Sequence, residues 1–233
     1  MFFMIEVQLV RLSKNTGPPE RALEWISLER RAKIARFHRT KDRKRSLVAE
    51  LLIRRAAIRK LGLRPEQMVI DRNPYGRPYL RNVRHFKFNL SHSGEYVVIA
   101  LGRRPVGVDV ERIDRCNQDV AKRFFSPAEA EYLRSLPAIE QARAFTTLWT
   151  LKESYTKAEG KGLLIPFSSF GFRLEPSIQL VGGCAKRNYV FESMVLDGHC
   201  LSVCHQEPGA EIDFRIMDEI ELYEQYERLL EAL

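Results

Sequence analysis

Two short segments carry side chains suited to handling a phosphate ester and a cation. In Val106-Gly107-Val108-Asp109-Val110-Glu111, apolar and acidic residues alternate. Side chains at i and i+2 of a strand share a face, so Asp109 and Glu111 point one way while Val108 and Val110 point into a core. Two carboxylates on one face repel unless a cation or a basic side chain stands between them. Oxygen-only ligands of this kind suit Mg²⁺, which keeps several waters and completes its shell with substrate phosphates. In Trp149-Thr150-Leu151-Lys152-Glu153-Ser154-Tyr155-Thr156-Lys157, a helix stacks Trp149, Glu153 and Lys157 at i, i+4 and i+8, with Lys152 flanking the stripe. Together the segments supply three carboxylates and two lysines. Phosphoryl-type transfer needs such groups, because positioning and charge neutralisation do most of its work. Each segment also has a plainer reading: a strand end with two solvated acids, and a surface Glu–Lys pair worth about 0.2–0.5 kcal/mol.

Charge adds a second clue. The net charge is +8, and between Arg30 and Arg45 nine Lys or Arg stand against one acid, Asp42, so this stretch carries the whole excess. A single-sign patch concentrates an anion, whether nucleic acid, a phosphorylated cofactor or an acidic protein. A solvated helix face is the plainer alternative. Nucleic acid is disfavoured as a partner, since Phe37 is the only aromatic within the run and no zinc, RRM or KH pattern appears. A metal-dependent nuclease would commonly place a lysine two residues after a strand acid, where this chain has Ile113.

Several classes fall away. No apolar run approaches the roughly 18 residues needed to span a bilayer. The N-terminal Met1-Phe2-Phe3-Met4-Ile5-Glu6 lacks a basic region and a cleavage pattern, so a cytoplasmic protein without a membrane partner is expected. Cys116, Cys184, Cys200 and Cys204 are too scattered for a disulfide framework. Cys200-Leu201-Ser202-Val203-Cys204 reads as a buried strand rather than a zinc site, for which a CxxxC spacing is unusual.

The elements that must position these residues follow from periodicity and turn chemistry. Residues 4–11 read as a strand, and Arg43–Leu61 as a helix stopped by Gly62. Asn73-Pro74-Tyr75-Gly76-Arg77-Pro78 is a turn-rich loop. Phe86–Leu90 and Tyr96–Leu101 read as paired strands around Ser91-His92-Ser93-Gly94-Glu95. A helix at Glu140–Glu159 stops before Gly160, and strands follow near Phe170–Leu174, Tyr189–Val195 and Cys200–Cys204. In the tail, Leu222, Tyr226, Leu229 and Leu233 share a helical face. The pattern predicts an α+β fold of two related halves, 1–105 and 106–233. Each half would be a helix packed on a small antiparallel sheet.

The motifs resemble those of the 4′-phosphopantetheinyl transferases. Val106–Glu111 is similar to the first signature of that family, and Trp149–Lys157 matches its W-x-x-K-E-x-x-x-K signature. Asp109 and Glu153 lie 44 residues apart, a typical separation. Phe88-Asn89-Leu90-Ser91-His92-Ser93 resembles a third segment, and Gly76-Arg77-Pro78 the short G-K-P turn. Ala121-Lys122-Arg123-Phe124-Phe125-Ser126 and Glu159-Gly160-Lys161-Gly162-Leu163 are further echoes. The likeness, from about residue 28 to 175, is nearest to the surfactin-synthetase-activating type, which implies a monomer of two pseudo-symmetric halves with the active site between them.

The resemblance implies a transfer of phosphopantetheine from coenzyme A to a serine of an apo acyl or peptidyl carrier protein, with release of 3′,5′-ADP. It implies that Asp109, Glu111 and Glu153 hold Mg²⁺ or Mn²⁺ and that Lys157 contacts the diphosphate, assisted by Lys152. Ser91 and His92 would meet coenzyme A phosphates. Arg77 stands where the family usually has Lys, and its planar fork would contact phosphate differently. Lys33, Arg30, Arg45 and Ser46 would meet the 3′-phosphate and adenine end. Glu153, or a metal-bound water it orients, would serve as base. A family member reduced to a binding module is the alternative, and the intact carboxylate set argues against it.

Overall fold

The computed structural model describes residues 4–14, 17–81, 83–161, 164–182 and 188–233. Cys184, the Gly162-Leu163 pair and Met1-Phe2-Phe3 lie outside them. The first half comprises β1 (Met4–Arg11), α1 (Glu20–Glu24), α2 (Leu28–Ala35), α3 (Thr40–Leu61), β2 (Ile70–Arg72), β3 (Pro78–Leu80), β4 (Lys87–Ser93) and β5 (Tyr96–Gly102). There follow β6 (Val106–Arg112), α4 (Gln118–Phe124), α5 (Pro127–Ser135), α6 (Ala138–Glu159), β7 (Gly171–Arg173), β8 (Gln179–Val181), β9 (Val190–Leu196), β10 (His199–His205), β11 (Glu211–Asp218) and α7 (Glu219–Glu231).

The fold is α+β, as the pattern predicts. One sheet has the order β11-β1-β5-β4 and a second the order β6-β10-β9. The pairs β1–β5, β5–β4, β6–β10 and β10–β9 are antiparallel. Each sheet carries a 22-residue helix, α3 or α6, and each helix ends at a left-handed glycine, Gly62 (φ 63°) or Gly160 (φ 70°). Only a residue without a Cβ takes that conformation cheaply, so both glycines are stops written locally.

Three apolar layers hold the two units together. Val97, Ile99 and Leu101 of β5 face α3, while Tyr96, Val98 and Ala100 face the second sheet and meet Val106, Val108 and Val110 of β6. A strand covered on both faces must be apolar throughout, which explains the unbroken run Val97–Leu101. The far side of the second sheet packs Cys204 and Phe191 against α6. Cys200 and Cys204 are fully buried in β10, the strand expected of that segment.

The C-terminal segment departs from the expected 106–233 grouping. Strand β11 pairs in parallel with β1, and Leu222 and Tyr226 of α7 join the core beneath α3. Lys44 of α3 and Glu219 of α7, both buried, form an ion pair at 3.0 Å. Residues 211–231 therefore complete the first half. The apolar stripe of α7 was legible in sequence, but its partner was not, because strand pairing between distant segments leaves no local signal. Among the described residues, no helix is long and apolar enough to cross a membrane.

Candidate active site

The site lies on the seam between β4 and β6. These neighbouring strands are joined by side chains. Asn89 Oδ1 accepts from Val108 N (3.0 Å), Ser91 Oγ donates to Asp109 Oδ1 (2.6 Å), and Ser93 Oγ donates to Glu111 Oε2 (2.8 Å). Residues 89, 91 and 93 share one face of β4, so a polar stripe on one strand meets an acidic stripe on the other. Ser93 Oγ also accepts from Arg112 N (3.1 Å).

Helix α6 closes over β6 because Gly107 lets it. A Cβ at Gly107 would fall 1.9 Å from Ser154 O and 2.6 Å from Ala158 N. The backbones can approach only without a side chain there. That contact sets the last two turns of α6 above Asp109. Lys157 Nζ lies 2.6 Å from Asp109 Oδ1, 3.1 Å from Ser91 Oγ and 3.3 Å from Val108 O.

Asp109 is buried, and among the described residues its Oδ2 has no hydrogen-bond partner. Burial, then the charge of Asp109, pushes Glu111 above the usual carboxylate range, and the Ser93 hydroxyl and Lys157 oppose the shift. Glu153 is also raised, first by burial and then by Asp109, with Lys157 pulling it down and Glu111 adding to the rise. Three acids that repel one another, one with a bare buried oxygen, form a donor set suited to a divalent cation. Among the described residues no three acidic, imidazole or thiol groups are drawn close enough to cage an ion alone. A cation that retains waters and takes phosphate oxygens needs no such cage, so the donor set suits Mg²⁺.

A cavity of about 690 Å³ opens over this cluster. Asp109, Glu111, Glu153 and Lys157 line it, together with Arg30, Arg45, Ser46 and His92. Desolvation by the cavity walls, and then the neighbouring Arg45, pushes the His92 imidazole down. Arg45 donates to Asp42 Oδ1 (3.3 Å) and to Gly94 O, and among the described residues its buried Nε is unpartnered. Arg30 donates to Glu50 Oε2 (3.1 Å) and Ser46 Oγ (2.8 Å). An acidic pole and a basic pole lining one cavity form the charge pattern of a site for a phosphorylated molecule held through a cation.

Comparison with known proteins gives this arrangement a family. The 4′-phosphopantetheinyl transferase superfamily pattern matches residues 105–204, and the N-terminal pattern of the 4′-phosphopantetheinyl transferases matches residues 19–103. A Bacillus subtilis 4′-phosphopantetheinyl transferase is 37% identical over 218 residues, covering 91% of this chain and 94% of its own. The chain belongs to the 4′-phosphopantetheinyl transferase superfamily. The transferase Sfp of Bacillus subtilis (strain 168) is 34% identical to it over 87% of this chain and 92% of its own. A solved Bacillus anthracis holo-(acyl-carrier-protein) synthase in complex with CoA (3′,5′-ADP) aligns at 15% identity and a TM-score of 0.39, over 43% of this chain and 92% of that chain.

Within the transferase, most of the sequence-selected residues line one cavity: Asp109, Glu111, Glu153, Lys157, Ser91, His92, Arg77, Arg30, Arg45 and Ser46. Two do not. Lys152 has no exposed surface and points away from the cavity, donating to Glu129 Oε2 (2.8 Å), Phe167 O (2.8 Å) and Phe170 O (2.7 Å). Adjacent helical residues lie about 100° apart. Glu153 therefore faces the site while Lys152 faces the core, and Lys152 is not a coenzyme A ligand. Lys33 is exposed, pairs with Glu29 at 2.7 Å, and lines a neighbouring depression instead. Arg30, three residues earlier on the same helix, lines both depressions, whereas Lys33 lines only the neighbouring one.

Other positions gain roles that sequence reading missed. Asn89 and Ser93 hold the seam, and the alternation of polar residues at 89, 91 and 93 was the available signal. Phe124 is 37% exposed while Phe125 is 3% exposed, so the pair divides between surface and core. Arg77 lines the cavity, but its guanidinium donates to Ala158 O (3.0 Å) and Val106 O (3.2 Å).

Proposed function

We propose that this transferase moves the 4′-phosphopantetheine group of coenzyme A onto a serine hydroxyl of an apo acyl or peptidyl carrier protein, releasing 3′,5′-ADP. In the reaction, a bond forms between the serine oxygen and the β-phosphorus. The bond from that phosphorus to the oxygen bridging to the α-phosphate breaks, and the hydroxyl proton leaves to a base. The observation that carries this reading is that one cavity is lined both by the Asp109–Glu111–Glu153 cluster with Lys157 and by Arg30, Arg45 and His92.

Asp109, Glu111 and Glu153 would hold Mg²⁺ or Mn²⁺, which when bound offsets charge on the diphosphate. Lys157, hydrogen-bonded to Asp109 and Ser91, presents its ammonium to the same oxygens. Arg45 and His92 bound the end where a 3′-phosphate would sit. Glu153, or a metal-bound water that it orients, would take the serine proton. The free thiols of Cys116, Cys200 and Cys204 suit a reducing cytoplasm.

The test is incubation of an apo carrier protein with coenzyme A, Mg²⁺ and the protein. A mass gain of about 340 Da at a single serine is expected, as the covalent formula of the arm requires. An unmodified carrier, across a panel of acyl and peptidyl carriers, would overturn the assignment.

A further inference from the structure

We propose that Arg77, seconded by Asn73, is a positioning residue that clamps the loop between β2 and β3 onto the last turn of the catalytic helix α6, and is not a phosphate ligand. The inference rests on the transferase reading for what the clamp serves, but its geometry stands apart from that reading. The two planar Nη donors of Arg77 reach carbonyls on two different elements, Ala158 O at the end of α6 and Val106 O at the start of β6. These carbonyls belong to the residue after Lys157 and to the residue three before Asp109. One guanidinium therefore grips both strands of chain that carry the acidic pole.

Asn73 acts beside it. Its Nδ2 donates to Gly160 O (3.1 Å), and its Oδ1 accepts from Tyr75 N (3.0 Å) and Arg77 N (2.9 Å). The loop is thus folded upon Asn73 and attached through it to the residue that ends α6. The fit is close: a Cβ at Gly160 would stand 3.0 Å from Arg77 Nη1.

The physical need is clear from the helix. The last four carbonyls of an α-helix lack intrahelical partners, and last turns fray. Here the fraying turn carries Lys157, and Glu153 lies one turn before it. The last turn is also the negative end of the helix dipole, an unfavourable neighbour for a diphosphate. A guanidinium bound to the terminal carbonyls pins the turn and offsets that partial charge. Lysine at this position could satisfy one carbonyl but could not span two with a planar fork.

The test compares Arg77→Ala, Arg77→Lys and Asn73→Ala with the parent chain. The first readout is hydrogen–deuterium exchange without substrate. Arg77→Ala and Asn73→Ala should both speed exchange in 153–161, with 4–11 unchanged. The second is steady-state transfer with coenzyme A as the varied substrate. Both alanine variants should lower kcat by about 10- to 100-fold, the scale of a displaced catalytic group, while KM for coenzyme A moves by no more than about twofold. Arg77→Lys should fall between them and the parent. Unchanged exchange in 153–161 would overturn the clamp. So would a large rise in the Kd of coenzyme A for Arg77→Ala alone, or a fully active Arg77→Lys. If the parent chain itself transfers nothing, the functional reading fails while the exchange result still decides the clamp.

Discussion

Lys157 Nζ sits 2.6 Å from Asp109 Oδ1, while Asp109 Oδ2, equally buried, has no partner among the described residues. One oxygen is already neutralised from within the chain, and the other is bare. An unpaired buried carboxylate oxygen is costly unless a cation or a hydrogen-bond donor meets it.

Cation binding should therefore depend on Asp109. Mg²⁺ or Mn²⁺ should raise the melting temperature of the parent chain, and Asp109→Asn should abolish that rise together with transfer. Excess chelator should stop transfer, with recovery on adding Mg²⁺. A parent chain fully active in chelator, with no metal found by elemental analysis, would exclude the cation.

Glu153→Gln separates catalysis from stability. Loss of one preorganised charged group typically costs about 10²–10³ in kcat. Stability should move the other way. Because its folded value is raised, the protonated Glu153 adds stability fully present below the ordinary glutamate range, and that stability is lost as pH rises through the raised value. A glutamine cannot ionise and keeps it. In chelator, the variant should melt with the parent at acid pH and above it near neutrality. A variant with parental kcat would remove Glu153 from the site.

Lys152→Ala should act on folding. It leaves the buried Glu129 carboxylate without its ion-pair partner, a loss of about 3–5 kcal/mol by analogy with other buried pairs. The remaining donors to Glu129, Ser126 N and Phe172 N, moderate this cost. The double change Lys152→Met with Glu129→Gln should recover part of it. KM for coenzyme A, measured on the folded protein, should match the parent. A stable Lys152→Ala protein with a raised KM would return Lys152 to the cofactor site.

Gly107→Ala tests the approach of α6 to β6. The new methyl would meet the carbonyl of Ser154, so helix and strand must separate. Overpacking costs about 1–3 kcal/mol. A displacement near 1 Å at Asp109 and Lys157 costs about 100-fold in rate. Thermal melts and kcat should both fall, and parental values for both would contradict the close contact.

The basic pole should discriminate coenzyme A from dephospho-coenzyme A. By calorimetry, the parent should favour coenzyme A, and Arg45→Ala or His92→Ala should narrow the gap. Lys33→Ala should leave it nearly intact, since Lys33 lines the neighbouring depression and pairs with Glu29. Equal affinity of the parent for both ligands would mean that the wall does not read the 3′-phosphate.

What the sequence determined by itself is what periodicity can carry. The two-residue repeat of β6 put Asp109 and Glu111 on one face. The four-residue spacing in α6 stacked Glu153 under Lys157, and Gly62 and Gly160 marked where both long helices end. These are relations within one element, governed by backbone geometry over a few residues. The tertiary structure decided which surface each face meets. Helix α6 is covered on two sides, so Lys152 and Glu153, adjacent and both charged, part company into core and site. Lys33 and Arg45 belong to one basic run, yet different helices turn them to different depressions. Strand β11 chose β1 from across the whole chain. Ser91 and Ser93 became partners of Asp109 and Glu111 because β4 and β6 join through side chains. Contacts between distant segments depend on how layers stack, and stacking is a property of the assembled fold, which no local pattern records.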